Sequence, residues 1–146
     1  MPGFISDHPL ARGLIRIGNE AIGREDDALL REYFAEGYVL HGPNGDLDFE
    51  ALRSYFASLR AAFTEFRIVR EQIVADGHHL AARNTFSGVF TGVFTQSPVG
   101  PLPPHGRPVA WEVINVFRYD SDGRLAEEWV QTGYRSLLEK LGAGSA

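Results

Sequence analysis

The feature that most limits how this chain can fold is a change in the spacing of its apolar residues near Glu65. Before that point hydrophobic side chains recur at steps suited to one buried helix face; beyond it they alternate, as in a strand. Leu10, Leu14, Ile17 and Ala21 make the first helical stripe, with Pro9 suited to the first helical position, Asp7 or His8 as cap and Gly23 as stop. Glu25, Asp26 and Asp27 put negative charge where a second helix would begin, and Leu29, Leu30, Tyr33 and Phe34 give its apolar side before Gly37 ends it. Tyr38 to His41 reads as a short extended run closed by Gly42-Pro43-Asn44-Gly45. Asp48 caps the clearest amphipathic helix, where Phe49, Leu52, Phe56, Leu59 and Phe63 share a face.

The alternating part begins with Phe66 and Ile68, with Arg70 a further candidate for the same face, and runs to a turn at Asp76-Gly77. Leu80 to Thr95 is the next strand, in which Gly88 and Gly92 are expected to be bulges or bends. Ser97 to Pro108 holds five prolines and two glycines, so it is a loop or a broad hairpin end. Val109 to Tyr119 and Arg124 to Tyr134 then pair antiparallel about the turn Asp120 to Gly123, and Ser136 to Leu141 forms a last short helix before a tail expected to fray. Three helices before four long strands imply an α+β fold, one domain over 1–146, with helices on one face of a curved antiparallel sheet. A bent sheet under helices leaves a blind cavity, which is where a small ligand would bind.

Composition narrows the function. The 146 residues are 44% apolar and 23% charged, which fits a packed globule. The net charge of −5 argues against a phosphate-binding surface, so no nucleic acid is expected as partner. With no cysteine there are no disulfides and no thiolate chemistry. No apolar run approaches the ~20 residues of a membrane span, and the start has no secretory pattern, so a cytoplasmic protein without membrane contact is expected.

Polar residues within the strands are the candidates for chemistry. His79, Ala81, Arg83, Thr85 and Ser87 share one face, which is either solvated or the concave wall, where Arg83 would orient a carboxylate or carbonyl. Asn115 lies with Trp111, Val113 and Phe117 and needs a partner, on a neighbouring strand or in a ligand. Glu127, Trp129, Gln131 and Gly133 share a face, with Trp129 either core or ligand platform. His41 ends its short strand either as an exposed turn residue or at the cavity mouth. The histidines show no metal-ligand spacing, and no nucleophile elbow or nucleotide-binding glycine loop occurs.

Tyr38-Val39-Leu40-His41, Leu52 to Phe56, Ala81 to Gly88, Pro108-Val109, Asn115 to Tyr119, Asp122 to Trp129 and Leu137 to Gly142 follow one another in an order that resembles the SnoaL-like polyketide cyclases of the nuclear transport factor 2-like superfamily. The resemblance implies the cone-shaped fold of that superfamily, a homodimer packed through sheet faces, and cofactor-free aldol closure, isomerisation or hydration of an apolar or aromatic carbonyl compound. Such chemistry needs a proton-transfer group, donors for an enolate oxygen and an apolar slot. The family's carboxylate, four residues after the last strand's tryptophan, is replaced by Gly133, and its Gly-Thr-His segment reads Gly88-Val89-Phe90. On this reading His41, Glu127 and Arg83 are the catalytic candidates, and Thr85, Asn115, Trp129, Gln131 and Phe56 the substrate-binding ones. The related epoxide hydrolases use an arginine and two carboxylates; Arg83 fits the arginine, but Thr85 and Asn115 bring no charge. The alternatives are a binding or accessory protein that has lost the acid, or a dimeric interaction module with a filled interior.

Overall fold

The computed structural model describes residues 3–22, 24 and 26–143. Helix α1 spans Pro9–Arg16, and its cap is His8, whose Nδ1 accepts from the Leu10 amide at 3.2 Å. Its stripe runs on through a wider π-type turn, Ile17–Ile22, which buries Ile17, Gly18, Ala21 and Ile22. Gly23 and Glu25, expected to stop one helix and open the next, lie outside the described residues, as does the tail from 144. Helix α2, Asp27–Tyr33, is capped by Asp26, whose Oδ1 accepts from the Leu29 amide at 3.1 Å. It ends four residues before Gly37. That glycine lies inside strand β1 (Phe34–Gly42) with φ 79°, where the register to the neighbouring strand slips.

A strand not expected from sequence, β2 (Gly45–Asp48), folds back on β1 through the two-residue turn Pro43-Asn44. Asp48 then caps α3 (Phe49–Ala62), its Oδ1 accepting from the Ala51 amide at 2.8 Å, and Leu52, Phe56 and Leu59 are buried as the spacing requires. Strands β3 (Phe63–Asp76), β4 (His79–Phe90), β5 (Pro108–Tyr119) and β6 (Leu125–Thr132) follow, and α4 (Tyr134–Lys140) ends the described chain.

The sheet order is β2-β1-β6-β5-β4-β3. Its pairings are antiparallel except β1 with β6, so the sheet is mixed rather than wholly antiparallel. Gly88 is not a bulge, since the β4–β5 register runs unbroken past it; a Cβ there would come within 2.7 Å of the Phe63 Cβ. The missing side chain lets the start of β3 close on β4 as the sheet curls. Gly92 lies beyond β4, where a Cβ would strike the Ala61 carbonyl oxygen at 2.3 Å. Helices α1 to α3 cover the concave face, and one continuous apolar cluster, including Leu14, Leu30, Phe56, Phe63, Phe90 and Trp111, joins the two layers. The result is the α+β cone with its hollow closed by the N-terminal helices.

Candidate functional site

Between helices and sheet lies a cavity of about 230 Å³. Its wall is mainly apolar, with Leu14, Ile17, Phe56, Phe86, Trp111 and Val130 among the lining residues. Exposed residues Pro43, Asn44, Gly45 and Gln96 also line it, so it opens between the β1–β2 turn and the segment after β4. At that mouth Tyr55 is hydrogen-bonded to Tyr134, and Gln96 Nε2 donates to Ser54 Oγ at 2.9 Å.

A polar stripe crosses the apolar concave face. Each of five strands gives it one residue: Arg70 from β3, Asn84 from β4, Asn115 from β5, Glu128 from β6 and Tyr38 from β1. Arg70 NH1 donates to Asn84 Oδ1 at 2.9 Å. An arginine can only donate, so the Asn84 amide is fixed with its nitrogen forward. That nitrogen donates to the Val113 carbonyl and to Asn115 Oδ1, both at 2.8 Å. Asn115 Nδ2 in turn donates to Glu128 Oε2 at 2.5 Å, while the Tyr38 hydroxyl donates to Oε1 at 2.6 Å. Along Arg70, Asn84, Asn115 and Glu128 each side chain thus donates to the next, from the cation toward the carboxyl.

The electrostatics follow from burial. Desolvation pushes the Glu128 carboxyl above its ordinary value, against the opposing pull of Tyr38, Arg70 and Asn115. Burial also raises the Tyr38, Tyr33 and Tyr119 hydroxyls far beyond the usual range, so they stay protonated as donors, and Tyr33 and Tyr119 bond to each other. Burial lowers Arg70, but a guanidinium starts so high that it keeps its charge. A buried polar group left without a partner costs about 1–3 kcal/mol, so a stripe of five side chains that each depend on a neighbour for a partner is an expensive way to line a core. A buried carboxyl whose proton affinity is raised, on the wall of a mainly apolar hollow, is instead suited to giving and taking protons.

The expected site residues fall on both sides of the sheet. Asn115 and Phe56 line the cavity. Arg83 and Thr85 are on the outer face, where Arg83 NH1 reaches Glu112 Oε1 at 3.3 Å; of the two readings of that face, the solvated one describes it. His41, Glu127, Trp129 and Gln131 are also outside. His41 Nε2 does meet Glu127 Oε2 at 2.7 Å, but away from the cavity, with Asp46 at 2.9 Å on its other nitrogen and Arg118 Nε 3.2 Å from Glu127. Glu127 and then Asp46 raise His41, and His41 lowers Glu127.

The expectation that odd-numbered side chains of the late strands converge inside is therefore corrected for β4 and β6, and kept for β5. On β6 the cause is a bulge. Tyr119 pairs with Leu125 but Arg118 with Glu127, so Ala126 is an extra residue. Leu125 faces in, strict alternation would bring Glu127 and Trp129 in after it, and the bulge brings in Glu128 instead. Arg70, Asn84, Glu128 and Tyr38 were not among the sequence candidates. A signal existed for two of them: Asn84 is the lone polar residue among Leu80, Ala82, Phe86 and Phe90, and Arg70 continues the face of Phe66 and Ile68. Gly133 is the residue preceding α4, exposed and flanked by the cavity-lining Thr132 and Tyr134.

No helix among the described residues is long and apolar enough to cross a membrane. Among the same residues no group of three or more His, Asp or Glu side chains is placed to hold a metal ion.

Comparison with known proteins agrees with this architecture. A proposed SnoaL-like polyketide cyclase from Jannaschia sp. CCS1 superposes with a TM-score of 0.78 at 18% identity, over 96% of this chain and 99% of that one. AclR of Streptomyces galilaeus, a proposed hydroxylase, gives 0.75 at 20% identity over 94% and 81%. IdmH of Streptomyces antibioticus, a proposed polyketide cyclase, gives 0.74 at 26% identity over 92% and 99%. No curated protein matches the sequence. The family model for SnoaL-like polyketide cyclases matches residues 14–141, which takes in every residue of the polar stripe. This chain belongs to the SnoaL-like polyketide cyclase family.

Proposed function

We propose that the protein is a cofactor-free enzyme that moves a proton next to the carbonyl group of a small apolar or aromatic compound, leading to aldol cyclisation, isomerisation or hydration. Glu128 is the acid/base, held by Tyr38 and Asn115, and the apolar wall is the slot for the substrate's rings. The observation that carries this reading is a buried carboxyl on the wall of a mainly apolar cavity, its proton affinity raised by burial and both its oxygens held by donors. In this arrangement Glu128 takes the place that the sequence reading gave to Glu127 and His41. General acid–base catalysis of this kind contributes about 10²–10⁴-fold. The test is deuterium exchange at the α-carbon of small cyclic ketones, followed by NMR. Glu128→Gln is expected to lose that factor while Glu127→Gln stays within severalfold of the parent. Equal exchange by the parent and Glu128→Gln would end the reading.

A second reading, a binding or accessory protein, is favoured by one observation: the position before α4, beside the cavity mouth, is a glycine and cannot titrate. It expects ligand binding with no exchange in the parent. Either reading is compatible with a homodimer. We propose that the homodimer forms through the outer sheet face, where Val74, Ala81, Val116, Trp129 and His41 align in one row across five strands and Val116 and Trp129 are 40% and 38% exposed.

A further inference from the structure

The reading of Glu128 as acid/base leaves Arg70 without an assignment. Arg70 lies deep in the protein, yet it lines the cavity and is not fully sealed, so part of its surface is cavity wall. Among the described residues no carboxylate lies within 4.0 Å of it, and Nε has no hydrogen-bond partner. Its neutral partners are Asn84 and, at 3.4 Å, the Leu14 carbonyl. Gly18 in the π-type turn lies against it, where a Cβ would sit 3.2 Å from NH2. A side chain there would press on the guanidinium; glycine leaves it room under the helix. A buried cation whose contacts are all neutral, with Glu128 acting on it only through space, is expensive unless opposite charge is supplied in the cavity itself.

We infer that the cavity binds its ligand as an oxyanion, an enolate or phenolate, with Arg70 supplying the opposite charge and Glu128 taking up the ligand's proton. This deepens the acid/base reading and rests on it. The step balances: the ligand's O–H or α-C–H bond breaks, the proton forms an O–H bond on Glu128, and the electron pair stays with the ligand, its charge on the oxygen facing Arg70. The site then holds one cation and one anion, as it does empty with Glu128 ionised. The groups facing Glu128 are Tyr38 from β1, Asn115 and Tyr119 from β5, Arg70 from β3 and Tyr33 from α2. The tyrosines hold their protons throughout, which leaves Glu128 and the ligand as the pair that titrates. Size limits the class further. An apolar cavity of about 150 Å³ holds benzene, so about 230 Å³ suits one or two rings carrying an acidic hydroxyl or a 1,3-dicarbonyl.

The probe is 4-nitrophenol, with 4-nitroanisole as its neutral analogue, and the readout is the phenolate absorption band together with the affinity across pH. The parent is expected to bind phenolate below the phenol's own pKa. Once both Glu128 and the phenol are ionised, the affinity should fall about tenfold per pH unit, because one proton must be taken up. In Glu128→Gln that fall disappears. Arg70→Met is expected to weaken phenolate binding by roughly 10- to 100-fold, the worth of a hydrogen bond to a charged group, and to leave 4-nitroanisole within about twofold. Neutral phenol bound by the parent, an unchanged pH slope in Glu128→Gln, or indifference to Arg70→Met would each overturn the inference. Should Arg70→Met fail to fold, the band in the parent and the slope in Glu128→Gln still decide it. Loss of ketone exchange in Glu128→Gln with neutral phenol bound would sink this inference alone; exchange that survives Glu128→Gln would sink the acid/base reading itself.

Discussion

Glu127 and Glu128 are neighbours in one strand and have opposite chemistry. Glu127 lies on the outer face between His41 and Arg118, and the hydrogen bonds from both lower it, His41 first. Glu128 lies on the inner face with neutral donors in contact and a cation held two amides away, and burial raises it. A single bulge at Ala126 decides which carboxyl goes where. The same contrast runs across the whole sheet. Outside, Arg83 and Glu112 form an ion pair at 38% and 62% side-chain exposure, where solvent screens its worth. Inside, Arg70 bonds only the Asn84 amide and the Leu14 carbonyl. Charge on the outer face is a matter of solubility and pairing; on the inner face it is poised for chemistry.

The contrast is broken most severely by cutting the inner stripe. Asn84→Leu keeps the size of the side chain but leaves Arg70 NH1 and Asn115 Oδ1 unpaired in the interior. We expect a loss of about 2–4 kcal/mol in urea unfolding. Arg83→Leu, one residue before it on the opposite face, should change stability by no more than about 0.5 kcal/mol. Equal losses would mean that the inner stripe is as well solvated as the outer face.

Much of the fold could be read from residue spacing, because burial of one face imposes a period on the sequence. The helix from Phe49 with its start at Asp48, the acidic opening of the second helix and the long strands were all legible in this way. What failed was local geometry with no such period. Strand β2 is four residues long, and its burial shows no clear alternation. The slip around Gly37 shifts the β1–β6 register by three residues and the extra residue at Ala126 shifts β5–β6 by one, and an odd shift turns a strand's side chains over. Trp129 made the reversal harder to see, since a large aromatic is usually core, whereas here it is 38% exposed. In the site, Asn115 was found because its neighbours are apolar. Applying the same test to Asn84 and Arg70 would have traced the stripe across two more strands.

The two glutamates also differ in how pH acts on them. With its folded pKa raised, Glu128 keeps its proton to higher pH in the native state than in the unfolded chain. Below the unfolded value it makes no difference. As pH rises from the unfolded value through the folded one, the native state loses stability, and a constant penalty remains above. Glu128→Gln lacks that decline. Its stability relative to the parent should therefore grow with pH across that window and level off at the alkaline end. Glu127 is lowered, so its contribution has the opposite sign: present at neutral pH and lost as pH falls through its folded value. Parallel stability curves for the parent and Glu128→Gln would show that the inner carboxyl titrates like an exposed one.

The smallest effect on the cavity is expected from the outer face, where the comparison can be sharpened rather than broken. The Trp129 ring lies tilted beside that of His41, with centroids 5.5 Å apart, and sits in the row that ends at Val74. Trp129→Glu puts a charge in that row beside Glu127 without touching the cavity wall. If two copies pack through this face, light scattering should find the parent dimeric and the variant monomeric, because a buried unpaired charge is far costlier than the apolar contact it replaces. Ketone exchange by the variant should stay within about twofold of the parent, since His41, Glu127 and Trp129 are all absent from the cavity lining. A monomeric parent would remove the dimer proposal. A variant that stays folded but loses exchange would mean that the two faces of the sheet are coupled, and that the inner site depends on more than the stripe of side chains that forms it.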